Sequence, residues 1–397
     1  MHYSSLLSIL YICHATSGVL GGTLGRTLGP RSLDQSPYAG QRHRRSTQAP
    51  SHETIAPKVM IISTFAPEAN VWYDTTLNLF ANNITVTGLS PLWPDVHCSA
   101  DGDVCQVTSG LGIANAASSM QALWMSPLFD LRKTYILIAA IAGINPYEAT
   151  TGSVTFADYV VNLDLQNSFS QDELPTNDSS IFFPLGSEQP DSSNPDAYPT
   201  SWFGWEAFEL NKKLISSIVN IVSNVPLNDS AEAAAYRAKY DFAPANEAPG
   251  VVVCASGASN LYWTGANTGF AFSNYTRLIT NGSATYCATN TEDSGLHEGL
   301  IRGAIAGRLD YSRVINMRTA SDFDRAPRNV NEVYHLFDAP QGGYDPSLIN
   351  IRLAGMAIVD AILEDWTMTY EAGIEPDNYI GDGFGSLKGQ EAKRDIG

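Results

Sequence analysis

Val104-Cys105-Gln106-Val107-Thr108-Ser109-Gly110-Leu111-Gly112-Ile113-Ala114-Asn115-Ala116-Ala117 decides the fold class. Five strand-forming residues run straight into a glycine turn, and small residues at helical spacing follow at once. The same alternation recurs on both sides. Lys58–Phe65 is an apolar strand ended by the turn Ala66-Pro67, and Val71–Phe80 carries helical spacing. Tyr135–Ile141 is a continuous apolar run closed by Gly143, and Val154–Leu163 is rich in β-branched residues. After a Ser-, Asp-, Pro- and Asn-rich excursion over 165–204, helical stretches are expected at 206–222, 296–309 and 353–370, and strands at 250–254 and 314–318. Unbroken apolar strands alternating with helices predict an α/β fold with a twisted, mostly parallel (mixed) central sheet flanked by helices. Ligands bind such sheets at the carboxyl ends of the strands, so the polar residues just after strands are the ones to question.

The ends of the chain read differently. Leu6–Cys13 is an apolar run followed by Ala15-Thr16-Ser17-Gly18, the pattern of a secretory signal over 1–18. Residues 19–56 are rich in Gly, Ser, Thr, Pro and Arg without periodicity and are expected to be a disordered leader, cut at Arg44-Arg45 or left as a linker. Residues 57–397 are then a single α/β domain. Without Cys13, four cysteines remain and allow three pairings. The Asp101-Gly102 turn between Cys98 and Cys105 suits a closed hairpin, which leaves Cys254 with Cys287. Five N-x-Ser/Thr sequons, at Asn83, Asn177, Asn228, Asn274 and Asn281, go with a secreted or cell-surface glycoprotein.

Composition excludes several partners. A formal charge of −18 repels phosphate backbones, so nucleic acids are not expected. No run reaches the ~18–20 continuous apolar residues of a membrane helix, so no transmembrane span is expected. Gly110-Leu111-Gly112 lacks the third glycine of a dinucleotide fingerprint. Phosphate-loop, paired CxxC, HExxH and G-x-S-x-G motifs are missing, and His97, His297 and His335 are scattered. No metal and no cofactor are expected.

Four polar positions follow strands: Glu68, Ser109, Glu292, and Ser321 with Asp322. Each alone fits an ordinary cap or turn role. Together with Ser109–Ala117, Ile138–Ile144 and Gly152-Ser153-Val154, they resemble the nucleoside phosphorylase and nucleosidase superfamily, with Ser153 where that pattern has Asp. The stretch from Lys58 to Leu387 further resembles the purine nucleoside permease family. Ala142–Pro146, Asn290–Asp293, Met317–Thr319, Phe323–Arg325 and Asn378–Asp382 carry that similarity. The resemblance implies a phosphorylase-like fold and purine nucleosides as partners, with a homo-oligomer among the outcomes it leaves open. It implies that Asp322 protonates the purine leaving group, Glu292 holds the ribose hydroxyls, Glu68 orients water and Ser109 assists. Ser256, Gly257, Asn260, Tyr262, Asn290, Ser321 and Arg318 fall in the substrate-binding group. Core packing competes for the Asn260–Trp263 stretch, and a carboxylate partnership competes for Arg318 and Arg325.

The chemistry fits these residue types. Glycosidic cleavage passes through an oxocarbenium-like cation that carboxylates stabilise, and a purine anion leaves slowly without an acid. Phosphorolysis would need a cationic cradle, and no Lys or Arg lies between Val59 and Leu131. Water is therefore favoured as the nucleophile. Three functions follow: a nucleoside hydrolase serving uptake, a non-catalytic nucleoside carrier, and a phosphorolytic enzyme.

Overall fold

The computed structural model describes residues 54–174, 181–185 and 203–387. The expected signal, residues 19–53 of the expected leader, Asn177, and much of the 165–204 excursion lie outside these residues, whereas Ile55, near the leader's expected end, is bridged to Phe129. In chain order the strands are β1 Val59–Ser63, β2 Asn82–Thr85, β3 Asp95–Cys98, β4 Val104–Thr108, β5 Tyr135–Ile144, β6 Val154–Phe156, β7 Tyr159–Asn162, β8 Gln166–Ser168, β9 Phe182–Pro184, β10 Ala207–Glu209, β11 Val251–Val253, β12 Ala255–Ala258, β13 Tyr286–Asn290, β14 Val314–Phe323 and β15 Gly381–Asp382. The helices are α1 Ala66–Tyr73, α2 Ile113–Met125, α3 Lys212–Val222, α4 Ala231–Arg237, α5 Ala266–Ile279, α6 Asp293–Ile305, α7 Glu332–Phe337 and α8 Tyr344–Glu364.

The apolar runs form the middle of one mixed sheet. β4, β1, β5 and β14 are neighbours and all parallel, and β7, β12 and β13 form a second parallel group. Antiparallel pairs join the groups and finish the edges: β13 with β5, β14 with β6, and β2 with β3. β1 is buried throughout, and β5 is buried except at Ile141. Each Ile, Leu or Val placed there contributes roughly 1.5–3 kcal/mol.

β1 and β5 part company at the site. Their pairing runs from Val59 opposite Tyr135 to Ile62 opposite Ile138 and stops. β5 continues six residues further beside β14, and its last two residues meet β13. Between Ile138 and Gly143 the edge of β5 that faced β1 is open. α6 lies on α2 through Gly295, Gly299 and Gly303, where side chains would strike the Ile113 carbonyl, Met120 and Trp124. That close approach sets the start of α6 against the start of α2.

Several boundaries differ from the sequence reading. Ala66-Pro67 opens α1 rather than ending a turn, because proline suits the first helical turn, and the helix stops at Tyr73. Residues 154–163 divide at Ala157-Asp158 into β6 and β7, which join different neighbours. The expected helix from Glu206 is a strand first: Asn211 accepts the Leu214 N–H and caps α3, so Phe208 and Leu210 precede it. β14 runs on to Phe323, which puts Ser321 and Asp322 inside a strand, at a bulge opposite Ala142 and Gly143. α8 begins at Tyr344, nine residues before the expected start.

Both expected disulfides are present. Cys98 and Cys105 face each other across the β3–β4 hairpin, whose turn has Gly102 at φ 75°, and Cys254 joins Cys287. Among the described residues α8 is the one helix long and apolar enough to cross a membrane, and half of that stretch is buried. Of the sequons, Asn83 and Asn281 are exposed, while Asn228 and Asn274 are half-buried.

Candidate functional site

The open edge of β5 collects the chemistry. With β1 gone, the Ile141 N–H donates to Glu68 Oε1 at 2.7 Å, and the Ile141 carbonyl accepts from Arg318 Nη1 at 2.8 Å. One residue on, the Ser321 hydroxyl lies 3.0 Å from the Ala142 carbonyl. At Gly143 an added Cβ would sit 2.9 Å from Asp322 Oδ1 and 2.5 Å from Thr289 Oγ1. Three consecutive β5 residues thus bring Glu68, Arg318, Ser321 and Asp322 together from segments far apart in the chain.

Glu68 stands in the first turn of α1 and is fully buried. Its Oε2 accepts the Thr64 N–H and hydroxyl at 2.7 and 2.8 Å. Burial lifts its pKa to about 7; Arg318 opposes the rise and Glu292 adds to it. The carboxyl is therefore poised to change charge near neutral pH.

Glu292 immediately precedes α6. Its Oε2 takes Arg318 Nη2 at 3.3 Å, and its Oε1 takes the Gly112 N–H at 3.2 Å, 180 residues away in sequence. Asp293, which sequence reasoning quoted inside the Asn290–Asp293 motif but gave no role, is the main partner of Arg318, at 3.1 Å from Nε. Burial works against the charge on Asp293, yet Arg318 outweighs it and holds the carboxyl below its usual range. The Arg318 guanidinium is spent on Asp293, Glu292 and the Ile141 carbonyl. This is the carboxylate partnership that competes with a substrate-binding role for Arg318, and it leaves one Nη1 N–H beyond these bonds.

Ser256 and Asn290 are also turned inward. Ser256 donates to Asp293 Oδ2 at 2.5 Å, and Asn290 Nδ2 donates to Ser256 Oγ at 2.7 Å. Asn290 Oδ1 accepts the Glu292 and Asp293 N–H groups, which caps α6. Gly257 is a packing position: a Cβ there would strike Leu163 at 2.7 Å and crowd the Tyr286 ring. These three brace the site. Trp263 packs on Phe272 and Tyr286, so the core reading holds for that residue. Asn260 accepts the Ile113 N–H at 3.1 Å, and exposed Tyr262 stands beside Thr291 and Glu292.

Asp322 differs from the other acids because solvent reaches it. The surrounding protein still raises its pKa, against the pull of the Ser321 hydroxyl 2.7 Å away. Ser321 has one proton and two acceptors, the Ala142 carbonyl and Asp322 Oδ2. A protonated Asp322 resolves that competition by donating to Ser321 while Ser321 donates to Ala142. Ser109 is buried just past β4, tied by its N–H to the Ser63 carbonyl at the end of β1, and its hydroxyl turns to the Gly110 carbonyl. Among the described residues its hydroxyl is hydrogen-bonded to none of the acids. Sequence reasoning missed two further neighbours. His335, buried, holds the Phe323 carbonyl at 2.9 Å and faces the Asp322 charge. Tyr344 stands within electrostatic reach of Glu68. Their nearness to the site becomes legible only once α7 and α8 are placed after the strand that carries Asp322. Among the described residues no cluster of His, Cys, Asp and Glu suits a metal ion.

Comparison with known proteins gives consistent results. The sequence model described as "Purine nucleoside permease (NUP)" matches residues 56–375. A purine nucleoside permease of Candida albicans is 39% identical over 360 residues, covering 89% of this chain and 87% of its own. A probable purine nucleoside permease of Schizosaccharomyces pombe is 40% identical over 316 residues, covering 78% and 90%. Among solved structures, the 5′-methylthioadenosine/S-adenosylhomocysteine nucleosidase of Helicobacter pylori is similar at a TM-score of 0.45 and 11% identity, over 78% of this chain and 99% of that one. The Neisseria meningitidis nucleosidase of the same description gives 0.42 and 12%, over 76% and 98%.

Proposed function

The chain belongs to the purine nucleoside permease family, and from that premise we propose that it binds purine nucleosides and breaks their N-glycosidic bond with water, in the service of nucleoside uptake at the cell surface or outside it. The observation that carries this reading is the convergence of Glu68, Glu292 and Asp322 on the open carboxyl end of β5, around a guanidinium already neutralised by carboxylates. Asp322, with a raised pKa and access to solvent, gives its proton to the departing purine as the C1′–N bond breaks. Glu292 engages the ribose hydroxyls, and the carboxylates stabilise the cationic sugar. Glu68 takes a proton from the attacking water as the C1′–O bond forms. Free base and free ribose leave, and the proton held on Glu68 balances the one lost from Asp322.

A second reading has its own support in the names of the relatives: the chain delivers nucleosides uncleaved. One experiment separates the two. The purified full chain is incubated with adenosine, inosine and guanosine, with and without phosphate, and the products are resolved chromatographically. Free ribose at a rate independent of phosphate is expected, and Asp322→Asn should slow turnover by about 10²–10⁴-fold with ligand affinity nearly unchanged. Saturable binding with no product would establish the carrier instead.

A further inference from the structure

We infer that Asn260 is a specificity-determining residue: with Glu292 it occupies the N–H groups of Gly112 and Ile113 where the Ser109–Gly112 turn enters α2, and so keeps inorganic phosphate out and leaves water as the nucleophile. This rests on the glycosidic-cleavage reading above. A glycine turn feeding a helix is where an oxyanion would be held, by exposed N–H groups. Here two of those groups are taken. The Gly112 N–H goes to Glu292 Oε1 at 3.2 Å and the Ile113 N–H to Asn260 Oδ1 at 3.1 Å, while α2 has no cap of its own.

Both partners are anchored by further bonds. Asn260 is fixed through its own N–H to Asp164 Oδ2 at 2.7 Å, and the preceding Ser259 N–H bonds the Asn290 carbonyl. Glu292 is tied to Arg318 and Thr291. Gly112 sits at φ 89°, and a Cβ there would lie 3.3 Å from Asn260 Oδ1, so the contact depends on glycine. An arriving phosphate would meet a carboxylate and an amide oxygen where it needs donors. Arg318 is largely committed to Asp293, Glu292 and the Ile141 carbonyl.

The test has a readout separate from turnover. Thermal unfolding of the full chain is followed in sodium phosphate against sodium chloride of equal ionic strength. Wild type should show no phosphate-specific shift. Asn260→Gly frees the Ile113 N–H, and its combination with Glu292→Gln removes the competing charge. A phosphate-specific shift should appear in the single variant, and half-saturation should come at an at least about tenfold lower phosphate concentration in the double variant. Asn260→Asp keeps the acceptor and should stay indifferent to phosphate, which separates the effect from damage to the fold. In the turnover arm, Asn260→Gly should divert part of the sugar to ribose 1-phosphate. Phosphate stabilisation of the wild type, or equal responses of Asn260→Gly and Asn260→Asp, would overturn the inference. If no nucleoside is cleaved by any form, the cleavage reading fails, and the exclusion of phosphate is decided by the unfolding shifts alone.

Discussion

At the scale of single residues, Glu68 has the clearest measurable signature. Its carboxyl titrates near pH 7 in the folded chain and from an ordinary value of 4.5 when unfolded. Between those values the folded form holds a proton that the unfolded form has lost, so stability falls as pH rises through the window. At pH 8 the ionised group costs roughly 3 kcal/mol relative to pH 5, an order-of-magnitude figure. His297 acts with the opposite sign. Burial lowers its pKa to about 4, so stability rises with pH as the unfolded imidazole loses its proton. Comparing wild type with Glu68→Ala cancels His297, which is common to both. The stability advantage of wild type over that variant should therefore shrink by up to about 3 kcal/mol from pH 5 to 8 in urea unfolding. A constant gap would mean that Glu68 is charged throughout. The pH profile of cleavage should have two limbs: it climbs as Glu68 ionises, because only the carboxylate accepts a proton from water, and it falls as Asp322 loses the proton it must donate.

At the scale of elements, the junction of β5, β13 and β14 makes the site, and Gly143 is its tightest point. An alanine there meets Thr289 Oγ1 at 2.5 Å and Asp322 Oδ1 at 2.9 Å, with no backbone obstacle to the substitution itself. Gly143→Ala should destabilise by about 1–3 kcal/mol and cut kcat at least tenfold by displacing Asp322, while the circular dichroism of the sheet persists. Unchanged kcat would place Asp322 outside the reaction. The same junction shows what the sequence could and could not reveal. β1, β4 and β5 were legible because both their faces are buried and their runs are unbroken. Residues 286–290 and 266–279 gave no such signal: Tyr-Cys-Ala-Thr-Asn is short and small, and α5 mixes Asn, Thr, Ser and Gly among its aromatics. Ser321 and Asp322 were found as polar residues near a strand end, but their place inside β14 follows from pairing with β5. The partners of Arg318, and the capping of α2 by residues 147 and 180 positions away, are tertiary facts that no local pattern encodes.

At the scale of the whole molecule, the family name poses the question of a membrane path, and α8 is where it must be answered. The helix passes a length-and-composition test for spanning, yet Ile351, Ala354, Ile358, Val359 and Ile362 are buried, and it packs on β14, β5, α1 and α3. Gly355 is the point of closest approach, directly against the Trp72 indole, where any side chain would displace the ring. Trp72 is one turn from Glu68 on the buried face of α1, so this contact seats the proposed base as well as the core. A helix embedded in lipid would tolerate valine at such a position, since acyl chains move aside. A core helix would not. Gly355→Val should therefore lower the unfolding free energy by about 1–3 kcal/mol, and reduce nucleoside cleavage more than nucleoside binding by shifting Glu68. The wild-type chain should leave membrane pellets under alkaline carbonate. Retention in the pellet, together with an unaltered unfolding profile for Gly355→Val, would assign α8 to the bilayer, because a helix cannot both pack its glycine on Trp72 in the protein interior and present that face to lipid.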